Sequence, residues 1–397
     1  MIVLEFKART KPSQASAIDE AIRTAQFVRN KALRYWMDNE KVGKYDLSRL
    51  CKELAEEFPF AKKLNAMARQ ASAERAWSSI SRFYANCKKK VKGKKGFPKF
   101  KKNSRSVEYK VNGWKLLEPK RIKFTDGFEI GELRLIGTHD LALYDKAQIK
   151  RVRLVKRADG YYVQFCIKVE VSIIESKPTH NTVGIDLGLS YFIATSNGDT
   201  VAAPKFYRKA EKQLNRANRK KSKKFRKGAK PQSKNYHKAR KRYALKHLRV
   251  SRQRTEWLKN QALRLCQSND LIAYEDLNVK GMVKNRKLAK SISDAGWSTF
   301  RLWLNYFAGK YGKIAVAVPP HYTSQKCSNC GEIVKKALSV RTHECPHCGY
   351  EADRDVNAAI NILRIGLTTV GHTGSHTLGE IEPLAELEKS CLVKSDL

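Results

Sequence analysis

The sequence predicts a multidomain α/β and β chain: a small amino-terminal β-barrel with inserted helices, followed by an α/β domain that carries a four-cysteine insert. Three observations predict it. Segments with strand-like alternation and hairpin turns fill residues 106–172, and a lone strand of the same kind opens the chain. From residue 182 apolar strands alternate with helical stretches, the pattern of a mixed or parallel sheet. Two C-x-x-C pairs, Cys327 with Cys330 and Cys345 with Cys348, lie close together near the end.

Size and charge narrow the function classes. At 397 residues, 42% of them apolar, the chain exceeds one ordinary core and fits two or three domains. Its 80 Lys and Arg against 38 Asp and Glu leave a net charge of +42, and a compact state so charged repels itself without a polyanionic partner. Nucleic acid is the better partner and a membrane is not expected, because no uninterrupted apolar run approaches the ~20 residues of a spanning helix. Met1 to Lys7 alternates like a strand and lacks a secretory signal, which implies a cytoplasmic protein. Four of the nine cysteines are paired in knuckles, while Cys51, Cys87, Cys166, Cys266 and Cys391 are scattered. That is metal usage and not a disulfide framework.

The elements follow in order. After the opening strand, residues 12–57 read as helical, with Ile18, Ala21, Ile22, Ala25, Val28 and Ala32 forming an apolar stripe. A second helix is expected from Leu64 to Cys87. Residues 88–102 then hold nine lysines around Gly93, Gly96 and Pro98, a loop or a backbone-binding arm. Strands are expected at 121–124, 133–136, 151–155 and 161–169, with a hairpin turn at Asp159-Gly160. A linker at 175–181 leads to strands at 182–187 and 191–196. Residues 205–254 carry twenty-two Lys or Arg opposed only by Glu211, and the interleaved Leu214, Phe225, Tyr236, Tyr243, Leu245 and Leu248 favour a helical pair with one thin packed face. A strand at 271–274, a helix at 299–311, a strand at 314–318 and a helix at 355–365 complete the domain. Beyond Gly366 no period is evident, and the tail 367–397 is expected to be disordered.

Two sets of residues carry chemistry. Cys327, Cys330, Cys345 and Cys348 supply four thiolates, the closed tetrahedral set of a structural zinc site in a zinc ribbon, and Gly331 and Gly349 allow the tight knuckles. His343 and His347 are bystanders in this reading. A filled shell cannot activate water, so catalysis is sought among acids at the ends of buried strands. Asp186 ends an apolar strand, where an unpaired carboxylate costs several kcal/mol. Glu275 terminates Leu271 to Tyr274 on the face of Leu271 and Ala273, and Asp355 opens the last helix. Taken singly, each has an ordinary reading as a turn residue, a solvated acid or a helix cap. Jointly they fit two-metal phosphodiester hydrolysis, in which clustered carboxylates hold two Mg²⁺ or Mn²⁺ ions.

The strings Gly184-Ile-Asp-Leu-Gly188 and Tyr274-Glu-Asp-Leu-Asn-Val279, the paired knuckles, and Asp353-Arg-Asp-Val-Asn-Ala-Ala359 together resemble the TnpB family of transposon-encoded RNA-guided endonucleases, relatives of miniature type V CRISPR effectors. The resemblance covers 182 to about 365 and is looser before that. It implies a RuvC nuclease domain of RNase H-like fold over 181–322 and 350–366, with a basic helical insertion at 205–265 and the zinc ribbon at 323–349. It also implies a wedge-like barrel from 1–10 and 103–175, and a helical recognition region at 11–102. Asp186, Glu275 and Asp355 become the metal-binding catalytic acids. The expected partners are a guide RNA from the transposon end and target double-stranded DNA, read beside a short motif.

Nucleic-acid contacts are assigned to Gln70, whose amide can pair with adenine, and to the basic residues Lys94, Lys95, Lys99, Lys101, Lys102, Arg219, Lys220, Lys223, Lys224, Arg240 and Lys241. Tyr109, Trp114, Tyr161 and Tyr162 can stack on bases, although a packing role is favoured for each. An actin-like ATPase also places an Asp-Leu-Gly turn on such a sheet, but it predicts glycine-rich adenosine loops and no ribbon. A guided repressor predicts a missing acid, and none is missing. A DNA-joining transposase shares fold and metals and differs only by analogy.

Overall fold

The computed structural model describes residues 2–91, 93–118, 120–169, 177–229, 231–337 and 340–372. The chain divides into two compact units, residues 1–170 and 171–397.

In the first unit β1 (Ile2–Arg9) is followed by four helices, α1 (Pro12–Asp38), α2 (Lys44–Glu57), α3 (Pro59–Lys63) and α4 (Ala66–Lys88). Six strands come after them: β2 (Ser106–Tyr109), β3 (Trp114–Glu118), β4 (Arg121–Phe124), β5 (Gly131–Ile136), β6 (Ile149–Arg157) and β7 (Gly160–Ile167). The sheet order is β2-β6-β7-β1-β5-β4-β3, all antiparallel, so the helices interrupt a sheet whose first strand lies near its middle. Phe6 and Ala8 of β1 face the core while Lys7 and Arg9 face solvent. The sheet curls: the Tyr109 ring of edge strand β2 lies 5.1 Å from Phe124 of β4, although four strands separate them in the order.

The helical stretch expected over 12–57 is broken. Lys41 adopts a left-handed backbone, and the Gly43 N–H donates to the Asp46 carboxylate at 2.8 Å, which starts α2 afresh. The stripe from Ile18 to Leu33 is buried as its spacing requires. On α4 the buried side of Ala68, Ala71, Ala73 and Ala76 lets helices approach closely.

The second unit begins with β8 (Thr182–Asp186), β9 (Tyr191–Thr195) and β10 (Thr200–Ala202), then α5 (Phe206–Ser222), α6 (Lys234–Ser268) and β11 (Leu271–Glu275). After α7 (Val279–Met282), α8 (Ala289–Ala295) and α9 (Trp297–Lys310) come β12 (Ile314–Val318), β13 (Thr342–Glu344), β14 (Glu351–Asp353) and α10 (Arg354–His372). The main sheet runs β10-β9-β8-β11-β12, with β8, β11 and β12 parallel and β9 and β10 antiparallel additions. Alternation gives it two working faces. Val183, Ile185, Ile272 and Tyr274 pack with Leu258, Phe300 and Leu304 of α6 and α9. On the other face Leu271, Ala273 and Val318 pack with Ile362 of α10.

Two glycines set the seat of α10. A Cβ at Gly184 would run into the Ala359 carbonyl and lie 2.7 Å from the Leu363 nitrogen, and one at Gly366 would lie 2.5 Å from the Ala273 Cβ. This corrects the expected end of the last helix at residue 365: Gly366 is a packing position, and α10 continues to His372. The expected disorder of the tail is therefore wrong for 367–372, and 373–397 lies outside the described residues.

Candidate acidic active site and cysteine metal centre

β8 and β11 are neighbouring parallel strands, and Asp186 and Glu275 end them. Both acids share the α10 face: Asp186 is two residues from Gly184, and Glu275 two from Ala273. Asp355 joins them from the first turn of α10. Asp353 caps that helix, its Oδ1 accepting the N–H groups of Asp355 (2.8 Å) and Val356 (3.2 Å), which releases Asp355 from the capping role. Asp276 takes no part, since it is exposed and paired with Arg301.

The acids feel one another. Glu275 and Asp355 are buried, whereas Asp186 is part-buried and keeps an opening to solvent. Burial pushes the Asp186 carboxyl up, and the charges of Glu275 and Asp355 push it further, to about 8. Arg354 and the Leu187 N–H oppose this incompletely. Burial also raises Glu275, against a hydrogen bond from the Thr323 hydroxyl. Asp355 is held by Arg354 (2.9 Å) and by Arg341 (3.3 Å), which also donates to Ser190 at 3.1 Å. Sequence reasoning missed Thr323, Arg341 and Arg354, because none has a local pattern that announces its partner.

The cysteines fit zinc closely. The Cys327 and Cys348 sulfurs are 3.8 Å apart, those of Cys330 and Cys345 3.5 Å, and all four lie within 4.8 Å of one another. A tetrahedron with zinc–sulfur bonds of about 2.3 Å has edges of about 3.8 Å. Each knuckle is closed by its backbone: Gly331 N–H donates to the Cys327 carbonyl (3.0 Å) and Gly349 N–H to the Cys345 carbonyl (2.9 Å). Both glycines have φ of 70° or more, a conformation other residues resist. His343 is buried outside the cluster, with its Nδ1 against Lys336. Among the described residues no other group of three or more such side chains gathers this tightly; the carboxylates are spread more widely.

The basic residues divide into two settings. Lys94, Lys99, Lys101 and Lys102 are exposed and Lys95 partly so, but their segment is no loose arm. Asn86 donates to the Lys95 carbonyl (3.0 Å), Arg29 to that of Lys99 (3.3 Å) and Asn30 to that of Lys101 (2.8 Å), strapping the backbone to α1 and α4. Gln70 is partly buried and lines an open depression with Arg69, Lys52 and Lys62. In the second unit Arg219, Lys220, Lys223, Lys224, Arg240 and Lys241 are exposed on or beside α5 and α6, and Leu214 and Val250 supply part of the thin buried face. Tyr109, Trp114, Tyr161 and Tyr162 are buried, each polar tip paired within the sheet or its helices, so none is open for stacking.

A strongly basic α/β protein with three acids on one sheet face and a separate four-thiolate centre belongs among proteins that handle nucleic acids. Comparison narrows this. Residues 164–286 match the family model described as "Probable transposase", and residues 297–362 the model "Cas12f1-like, TNB domain". A Streptomyces pristinaespiralis protein named "Putative RNA-guided DNA endonuclease" is 30% identical over 91% of this chain and 89% of its own length. The InsQ protein of Escherichia coli K12, named in the same terms, is 27% identical over 91% of each. Among solved structures, a Cas12f1 complex with guide RNA and target DNA shares the fold with a TM-score of 0.54 at 15% identity, covering 89% of this chain and 83% of the other. The chain belongs to the TnpB family of transposon-encoded RNA-guided endonucleases. Among the described residues no helix is long and apolar enough to cross a membrane.

Proposed function

We propose that this chain is an RNA-guided endonuclease of an insertion sequence that cuts double-stranded DNA, with Asp186, Glu275 and Asp355 holding two Mg²⁺ or Mn²⁺ ions in a RuvC-type, RNase H-like unit. The observation that carries the reading is the crowding of three carboxylates on one sheet face, where the charges of Glu275 and Asp355 add to burial in raising Asp186. Hard oxygen ligands crowded in this way favour divalent cations. The β8–β9–β10 meander joined to two parallel strands supports the RNase H-like assignment.

Divalent ions bound there supply an activated water and stabilise the leaving oxygen of a phosphodiester. The chain's own residues do the rest. Asp186 and Glu275 are presented by adjacent strand ends, Asp355 by a helix whose cap is taken by Asp353, and Arg341 and Arg354 add positive charge beside the acids. One structural Zn²⁺ in the cysteine centre holds the ribbon. The guide RNA, drawn from the transposon end, supplies sequence specificity by pairing, while the +42 chain grips backbones, so binding falls steeply with salt. Lys94, Lys95, Lys99, Lys101 and Lys102, with Arg219, Lys220, Lys223, Lys224, Arg240 and Lys241, track phosphates, and Gln70 reads the motif beside the target. The curled sheet acts as the wedge-like barrel and residues 11–102 as the recognition region. The protein works in the cytoplasm, at the nucleoid when bound to DNA.

The test is co-expression with flanking transposon DNA, sequencing of the RNA that co-purifies, and cleavage of matched plasmids with Mg²⁺ or EDTA. A discrete RNA and Mg²⁺-dependent double-strand breaks are expected. Absence of a discrete RNA rejects the guided reading, and cleavage in EDTA rejects the metal site. Cys327→Ser is expected to lower both zinc content and melting temperature.

A further inference from the structure

Thr323 stands between the two metal centres. Its hydroxyl donates to Glu275, and its carbonyl accepts from Asn361 Nδ2 at 2.9 Å. The same Asn361 nitrogen donates to the Lys326 carbonyl at 2.7 Å, and Asn357 Nδ2 reaches that carbonyl at 2.9 Å. Asn357 Oδ1 accepts the Ser328 N–H at 2.9 Å, and Arg364 donates to the Ser328 carbonyl at 2.9 Å. Lys326 and Ser328 flank Cys327, so α10 grips the backbone on both sides of the first thiolate.

Packing alone does not account for this arrangement. Asn357 and Asn361 are 0% and 3% exposed, and enclosing two carboxamides is unfavourable unless their polar atoms are paired. Apolar residues would fill the same space without fixing any backbone group. One helical turn apart, the two amides clamp residues 323–328, and Thr323 extends the clamp to Glu275.

We propose that Thr323 is a positioning residue for Glu275 and that Asn357 and Asn361 couple it to the first cysteine knuckle, so that metal in the cysteine centre and metal at the acids favour each other. The proposal rests on the reading that the acids hold the hydrolytic ions. A loaded knuckle fixes residues 326–328. The amides pass that constraint to Thr323, whose hydroxyl engages one Glu275 oxygen and leaves the other directed by the same contact. Coupling of this kind is reciprocal.

The experiment uses the complete chain with its bound RNA and measures zinc release to 4-(2-pyridylazo)resorcinol with and without Mg²⁺. It also measures the Mg²⁺ concentration that gives half-maximal cleavage. Mg²⁺ is expected to slow zinc release several-fold in the unaltered protein. Thr323→Val removes that slowing and raises the Mg²⁺ requirement about tenfold, the scale of an outer-shell loss, and Thr323→Ser restores both. If Mg²⁺ leaves zinc release unchanged, or slows it equally in the valine variant, the coupling is overturned. Should the valine variant not fold, Thr323→Ala carries the same arms. Asp186→Ala separates the two ideas: cleavage by that variant removes the acidic site itself, whereas an inactive Asp186→Ala beside an unaltered Thr323→Val removes only the positioning role.

Discussion

Glu108 in the first unit and Asp186 in the second are both strand acids in enclosed surroundings, and their carboxyls move in opposite directions. Burial pushes Glu108 up, but Arg153, Arg75 and Arg151 overturn that effect and bring it down to about 2. For Asp186 burial acts in the same sense, yet its acidic neighbours reinforce it and the carboxyl reaches about 8. The first acid is neutralised by the chain itself; the second is left short of positive charge in a protein with 80 Lys and Arg. Such a deficit points to a cation from outside the sequence.

The comparison breaks most readily at Glu108. Glu108→Ala should destabilise the first unit by about 3 kcal/mol, because it removes the buried carboxylate that pairs with the partly exposed Arg151 and Arg153, and denaturant titration measures this. A loss below about 1 kcal/mol would mean that the arginines find water instead. Asp186→Ala should reduce cleavage by more than about a hundredfold, beyond the usual cost of an outer-shell change, while leaving RNA binding intact. Asp186→Asn should raise the unfolding free energy of the metal-free protein by about 1 kcal/mol after allowance for its solvent-facing side. Destabilisation would show that the three acids do not repel.

The smallest effect is in pH. Glu108 has a folded value below its ordinary 4.5, so its contribution is complete above that value and disappears as pH falls toward about 2. Acid unfolding of the first unit should therefore carry a step between these limits, and Glu108→Gln should remove it.

Much of the acidic site was legible, and the reason is periodic. Leu271, Ala273 and Glu275 lie on one face because strand alternation leaves no other choice, and Gly184 with Asp186 follows the same rule on β8. The four cysteines were legible through spacing and their two glycines. Other features were not. The strap at Lys99 and Lys101 depends on Arg29 and Asn30, some 70 residues away in the chain, and such pairings leave no local period. Gly366 misled because a glycine that ends a helix and one that lets a helix touch a sheet are identical as letters. Asn357 stood in a recognisable string and Asn361 lay just beyond it, but their partners at 323–328 became evident only when α10 was seated.

That seating has a practical consequence for anyone altering the protein. Gly184 beneath Ala359 and Leu363, and Gly366 against Ala273, act as two notches that lock the helix in phase with the sheet. A single residue inserted between Asp355 and Gly366 would rotate one notch out of place by about 100° and carry the carboxylate off its face. Length changes between Gly331 and Thr342 leave both notches untouched. Diversity is best introduced in that stretch away from Arg341, which holds Asp355, and the helix is best left as it is.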